Sequence, residues 1–340
     1  MFSPMIIFLS TMTFFIIQCS GEFVPPSQRI LQYLHRRGEA LDLQTPSPVK
    51  ATYIDWQDVN WNKPQQNILD IVNGGYNVVI MAFFLSSGNP TDMAQAWASV
   101  DTATKNATIA YAHSKGAVVM VSLGGSTDSP FDVSASVLGR QVSEWAMTNF
   151  IDGVDFDLEN LQPGFKTFSQ TADQVIQWMI DIAAVTKQLM GSNALVSHAP
   201  QAPYFSKIGG GGNPWPGPSG GYTAVWKGGH IDWFNCQFYN QGPTCYTTFT
   251  SLFTQSNVQN DCPNFPNTSV AEIAAYGVPY AAIVVGKPLD TSDAGSGWVS
   301  ASDLHTFVGQ GKQMYGWSAG VMNWAWSTAG GPLWIHTVYP

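Results

Sequence analysis

The run Asp152-Gly153-Val154-Asp155-Phe156-Asp157-Leu158-Glu159 alternates acidic and apolar side chains over its last five positions. The two-residue period of a strand puts Asp155, Asp157 and Glu159 on one face and Val154, Phe156 and Leu158 on the other. Carboxylates crowded on a buried face are costly to ionise together, because burial and mutual repulsion both favour the protonated form. A carboxyl group that keeps its proton near neutral pH is what general acid catalysis requires. Glu159, the last of the three, stands at the carboxyl end of the strand, with Asp157 below it and Asp155 deepest. No His or Cys neighbours the run, which argues against a metal site, and the apolar partners argue against an exposed acidic edge.

Elements that could hold such a strand recur along the chain. Apolar runs rich in β-branched residues span Ala51 to Trp56, Asn77 to Phe84, Ala117 to Ser122, Gly153 to Leu158, Ala194 to Ala199, Trp233 to Tyr239, Ala281 to Val285 and Gly320 to Trp326. Helical spacing predicts helices over Pro64 to Asn73, Asp92 to His113, Asp132 to Asn149 and Phe165 to Met190. Eight βα repeats predict an α/β protein built as a single-domain (β/α)8 TIM barrel, not an open doubly wound sheet. Gly209 to Gly212, set among prolines, reads as a long loop between the fifth and sixth strands and not as a phosphate-binding turn. Barrel chemistry is built at the carboxyl ends of the strands, which is where Glu159 falls.

The net charge of -9 with only 11% charged residues leaves no basic surface for phosphates, which argues against nucleic acid as a partner. Residues 1–21 read as a signal peptide, with an apolar stretch from Met5 to Ile17 before Gln18-Cys19-Ser20-Gly21. No later stretch is apolar enough to cross a bilayer, so a secreted, extracellular protein with no membrane contact after signal removal is expected, as a monomer. Residues 22–48, with Arg36-Arg37, form an N-terminal extension or a pro-segment, and residues 49–340 form the catalytic domain. Asn106 and Asn267 head N-glycosylation sequons. Of the cysteines left after signal removal, Cys245 and Cys262 lie in a polar, loop-like stretch and are the preferred disulfide pair; Cys236 sits within a strand. The 13 Trp suit either stacking on sugar rings or a tryptophan-rich core.

Asp152, Gly153, Asp155, Asp157 and Glu159 fill the pattern Asp-Gly-x-Asp-x-Asp-x-Glu, and in this the chain resembles the family 18 glycoside hydrolases. Further segments resemble that family in the same order: Ala82-Phe83, Ser122-Leu123-Gly124-Gly125, Ala199-Pro200-Gln201, Gln237-Phe238-Tyr239-Asn240 and Gly320 to Trp324. The resemblance covers Val49 to His336, and within the family it favours the compact, plant class III type of chitinase. Ala294-Gly295-Ser296-Gly297-Trp298 matches that group, and the 14 residues between Gly286 and Ala301 are too few for an α+β insertion domain. This chain has fewer cysteines than the plant pattern and carries the additional segment 22–48.

The resemblance implies an endo-acting hydrolase of β-1,4-linked N-acetylglucosamine, chitin or chitooligosaccharides, with retention and without cofactor or metal. Its catalytic residues are then Glu159 as proton donor, Asp157 and Asp155 as partners that share a proton, and Tyr239 on the substrate acetamido oxygen. Substrate binding falls to Trp324 as the floor of the site, with Phe83, Gly124, Gln201, Gln237 and Asn240. Two alternatives keep the fold: a chitin-binding lectin or effector without turnover, and an endo-β-N-acetylglucosaminidase acting on N-glycans.

Overall fold

A computed structural model describes residues 44–56, 59–159, 161, 170–206 and 221–340. Residues 1–21, read above as a signal peptide, residues 22–43 and the glycine run at 209–212 lie outside the described residues. Eight strands form one closed barrel in chain order: β1 (Val49–Ile54), β2 (Val78–Phe84), β3 (Val118–Gly124), β4 (Gly153–Asp157), β5 (Leu195–His198), β6 (Trp233–Gln237), β7 (Ile283–Pro288) and β8 (Gly320–Trp324). All pairs are parallel, and β1 closes on β8 with Val49 opposite Gly320. The expected (β/α)8 barrel is therefore the architecture found.

Helices return the chain between strands: α1 (Pro64–Asn73), α2 (Asp92–Ala98), α3 (Thr102–Ser114), α4 (Ala135–Thr148), α5 (Ala172–Met190), α6 (Tyr222–Lys227), α7 (Val270–Ala275), α8 (Ala301–Tyr315) and α9 (Gly331–Val338). The single helix expected over Asp92 to His113 is two, because Asp101 accepts the backbone N–H of Thr104 at 2.9 Å and starts a new helix there. Likewise the expected helix from Phe165 begins, within the described residues, at Ala172, where Thr171 and Gln174 form a capping box.

One device repeats at the amino-terminal rim of the barrel. A polar residue just before an even-numbered strand accepts the first free N–H of the strand before it: Asn77 from Lys50 at 2.7 Å, Asp152 from Val119 at 2.9 Å, and Asp232 from Val196 at 2.7 Å. His113 of α3 binds Asp152, and Lys187 of α5 binds Asp232, so each carboxylate also ties a helix to the sheet. Asp152, the first acid of the signature, thus belongs to the framework. Its neighbour Gly153 has no room for a side chain, since a Cβ there would collide with the main-chain oxygen of Leu195 on β5. These two residues bring β4 close to β5 and fix the level at which the following carboxylates stand.

The core includes fully buried Trp97, Trp233 and Trp317, whereas Trp56, Trp61 and Trp298 are exposed. Tryptophan is therefore found both in the core and at the surface. Cys245 and Cys262 are joined as a disulfide in the long connection after β6, and Cys236 is a free, buried thiol on β6. Asn106 lies half-buried on α3, and Asn267 is half-buried in the turn leading to α7.

Candidate active site

Inside the barrel the acidic face of β4 meets polar side chains from its neighbours. Register places Ser122 of β3 and Ser197 of β5 directly beside Asp155. Their hydroxyls donate to its carboxylate at 2.8 and 2.6 Å, the phenol of Tyr53 donates at 2.8 Å, and the amide of Asn235 donates at 3.3 Å. Asp155 is fully buried; burial pushes its pKa up, and the four donors pull it back towards the anion. The four donors act against the rise that burial imposes.

Asp157, one level higher, has a different set of partners. Gln237 of β6 donates to its Oδ1 at 2.9 Å and to the main-chain oxygen of Ala199 at 2.9 Å, and its other carboxyl neighbour is Glu159. Burial first, then the charges of Glu159 and Asp155, hold the pKa of Asp157 well above the ordinary carboxylate range. Burial also raises Glu159, while hydrogen bonds from Asp157 and Gln237 act in the opposite direction. A protonated Asp157 donating to Glu159 accounts for both directions. In this structure the hydrogen bond of Asp157 runs to Glu159, while the oxygens of Asp155 are occupied by Tyr53, Ser122, Ser197 and Asn235.

Glu159 follows the end of β4 and its main-chain oxygen is held twice, by the phenol of Tyr204 at 2.6 Å and by the N–H of Leu161 at 3.0 Å. The turn on β3 is equally constrained. Gly124 has a φ of 117°, a Cβ on it would collide with the main-chain oxygen of Asp157, and the N–H of Gly125 donates to that same oxygen at 2.8 Å. Gly124 thus lets two backbones approach beneath the acid pair. Gly125 also has no spare room, because a Cβ there would lie 3.1 Å from the ring of Phe83.

Trp324, at the end of β8, is half-buried between Phe83, with ring centroids 6.2 Å apart and planes 26° from parallel, and Tyr53, at 5.5 Å. Tyr239 is nearly buried, and its phenol is pushed well above its ordinary pKa by burial and by the charges of Asp157 and Glu159. Gln201 pairs with Gln237 across the β5 and β6 ends and accepts from Gln241 at 3.4 Å. Asn240 takes a positive φ of 69° and accepts the N–H of Gly295 at 2.8 Å, so it fastens the loop after β7 to the end of β6. Asp155, Asp157, Glu159, Tyr239 and Gln237 therefore gather around one point, with Trp324 and Phe83 at its side; Asn240 faces a loop.

Several residues that shape the site were not singled out in the sequence: Tyr53, Ser197 and Asn235 around Asp155, Tyr204 beneath Glu159, and Asp55. Asp55 follows β1 with one carboxyl oxygen buried and unpartnered, and burial with the nearby charge of Asp92 raises its pKa to about 6. Their signal was present as uncharged polar residues inside apolar strands, Ser197 in Leu-Val-Ser-His and Asn235 in Trp-Phe-Asn-Cys. Exposed Trp56 and Trp61 stand on the loop after β1, and exposed Trp298 on the loop after β7. Trp56 and Trp61, with Asn60, Asn62, Gln66 and Thr328, line an open groove of about 590 Å³.

Among the described residues no group of three or more His, Cys, Asp and Glu side chains is arranged to hold a metal ion, and no helix is long and apolar enough to cross a membrane. The backbone is similar to that of a family 18 chitinase from Pseudoalteromonas aurantia, with a TM-score of 0.60 at 23% identity, covering 85% of this chain and 98% of that one. A putative chitinase A from Streptomyces coelicolor gives 0.61 at 19% identity, covering 85% and 94%. The xylanase and alpha-amylase inhibitor protein XAIP-II from Scadoxus multiflorus gives 0.54 at 16% identity, covering 86% and 98%. No curated protein matches the sequence. The family model described as glycosyl hydrolases family 18 matches residues 51–329, which include every catalytic and substrate-binding candidate named above. The chain belongs to the glycosyl hydrolases of family 18.

Proposed function

We propose that the protein is a secreted, endo-acting chitinase that hydrolyses β-1,4 linkages between N-acetylglucosamine units with retention of configuration. The observation that carries this reading is the hydrogen-bonded pair Asp157 and Glu159 at the open end of the barrel, above an Asp155 whose four neutral donors favour its charged form. The proton of the pair passes from Asp157 to Glu159, which delivers it to the glycosidic oxygen as the bond to the anomeric carbon breaks, while the oxygen of the substrate's own acetamido group forms a bond to that carbon. Asp157 turns from Glu159 to the acetamido N–H, and Tyr239 donates to the acetamido oxygen. Water, deprotonated by Glu159, then opens the cyclic intermediate and restores the acetamido group. Trp324 stacks beneath the distorted ring, and its neighbour Phe83 supports that face.

Support for a polymeric substrate comes from the rim, where exposed Trp56 and Trp61 stand beside amide side chains and the carboxylate of Asp70 in an open groove. A second reading, a binding protein without turnover, rests on the likeness of the fold to a protein named as an inhibitor of xylanase and alpha-amylase. Product analysis on chitohexaose and a high-mannose glycopeptide separates the possibilities. A chitinase releases N-acetylglucosamine oligomers from chitohexaose, and Glu159→Gln lowers kcat about a thousandfold or more while oligosaccharide binding persists. Absence of turnover by the wild type, or full activity in Glu159→Gln, sinks the assignment.

A further inference from the structure

Lys287, on β7, is fully buried and has no carboxylate within ion-pair distance among the described residues. Its Nζ donates to three main-chain oxygens, those of Phe238 at 2.9 Å, Tyr246 at 2.7 Å and Gly297 at 3.0 Å. An ammonium has three protons, so all are committed. The three oxygens belong to separate segments: the end of β6, the disulfide-bearing connection after β6, and the loop after β7.

Each segment bears on Tyr239. Phe238 is its chain neighbour. Gly297, with a φ of 89°, lies against it so closely that a Cβ would fall 2.6 Å from the Tyr239 Cα and 2.8 Å from its Cβ. Tyr246 packs its ring edge-on to Phe238, with centroids 5.1 Å apart. Burial without an opposing charge pushes the Lys287 ammonium down to about 7, a cost that a leucine or methionine at this strand position would avoid. Such a charge is tolerable only where its three donors are all used, and here they hold the residue before Tyr239, the loop that lies against the Tyr239 Cα and Cβ, and the connection whose Tyr246 packs on Phe238.

We infer that Lys287 is a positioning residue for the reaction: by fastening the loops after β6 and β7 to the end of β6, it holds the Tyr239 phenol at the acid pair. The inference rests on the role given to Tyr239 above. It separates from a purely structural role in a double-mutant cycle on chitohexaose with Lys287→Met, Tyr239→Phe and the double variant. Lys287→Met is expected to lower kcat about tenfold with KM changed less than about threefold, and the double variant to be no slower than Tyr239→Phe alone. Lys287→Gln, which keeps two donors, is expected to recover part of the loss, and it carries the same cycle if Lys287→Met does not fold. Losses that multiply in the double variant, or a folded Lys287→Met with wild-type kcat, overturn the inference. Wild-type kcat in Tyr239→Phe overturns it together with the role of Tyr239, whereas a slow Tyr239→Phe with multiplicative losses overturns Lys287 alone.

Discussion

The phenol of Tyr204 reaches the main-chain oxygen of Glu159 at 2.6 Å, although 45 residues separate the two in sequence. Tyr204 follows β5 and Glu159 follows β4, so the contact bridges adjacent loops at the catalytic rim. It fixes the backbone from which the acid projects without touching the carboxyl itself.

Removing that hydroxyl is expected to cost reaction rate more than binding. Tyr204→Phe keeps the ring and its stacking on Tyr222 but leaves the Glu159 oxygen with only the N–H of Leu161. A lost hydrogen bond of about 1 kcal/mol predicts a kcat roughly fivefold lower with KM nearly unchanged. Steady-state kinetics on chitohexaose measures both, and an unchanged kcat removes Tyr204 from the positioning role.

The acid pair should lower stability at neutral pH. Burial and two carboxylate neighbours raise the pKa of Asp157 in the folded chain, so the native state binds this proton more tightly than the unfolded one. Its contribution is fully present below the ordinary carboxylate range, near about pH 4, and is lost as pH rises through the folded value. Asp157→Asn mimics the protonated group. The variant should therefore melt at a higher temperature than wild type at pH 7 to 8, converge with it on acidification, and lose about a hundredfold or more in kcat. Equal melting temperatures across that range would show that the carboxyl carries no such penalty.

His198 should produce the opposite trend in the acid range. It is fully buried among Phe156, Tyr222 and Phe234, its Nε2 has no partner, and burial depresses its pKa from the ordinary 6.5 to about 3. Between those values the unfolded chain binds a proton that the native chain does not, so stability falls as pH drops from 6.5 towards 3, with a limiting slope of about 1.4 kcal/mol per pH unit. His198→Phe keeps aromatic packing and removes the proton. Urea unfolding at pH 7 and pH 5 should show a smaller loss for the variant than for wild type; identical losses would contradict the buried, neutral imidazole.

Much of this protein is written in local sequence. The period of two in the run ending at Glu159 places three carboxylates on one face; β4 of the structure, buried throughout, carries Asp155 and Asp157, and Glu159 stands two residues beyond its end. Repeated βα patterning gave the closed barrel, because parallel strands with helical returns have few other ways to bury both faces. Helix breaks were less legible, since Asp101 and Thr171 act through caps that interrupt a continuous apolar pattern.

What tertiary structure alone decided is how the three acids differ. Strand periodicity treats Asp155, Asp157 and Glu159 alike. Barrel closure surrounds Asp155 with Tyr53, Ser122, Ser197 and Asn235 from four other strands, which stabilises its charge, and leaves Asp157 with Gln237 and Glu159, which favours a proton. A pKa depends on burial and on groups within a few ångströms, and here nearly all of those groups come from distant parts of the chain. The same holds for Lys287, whose three acceptors lie on separate segments and have no sequence pattern linking them to it.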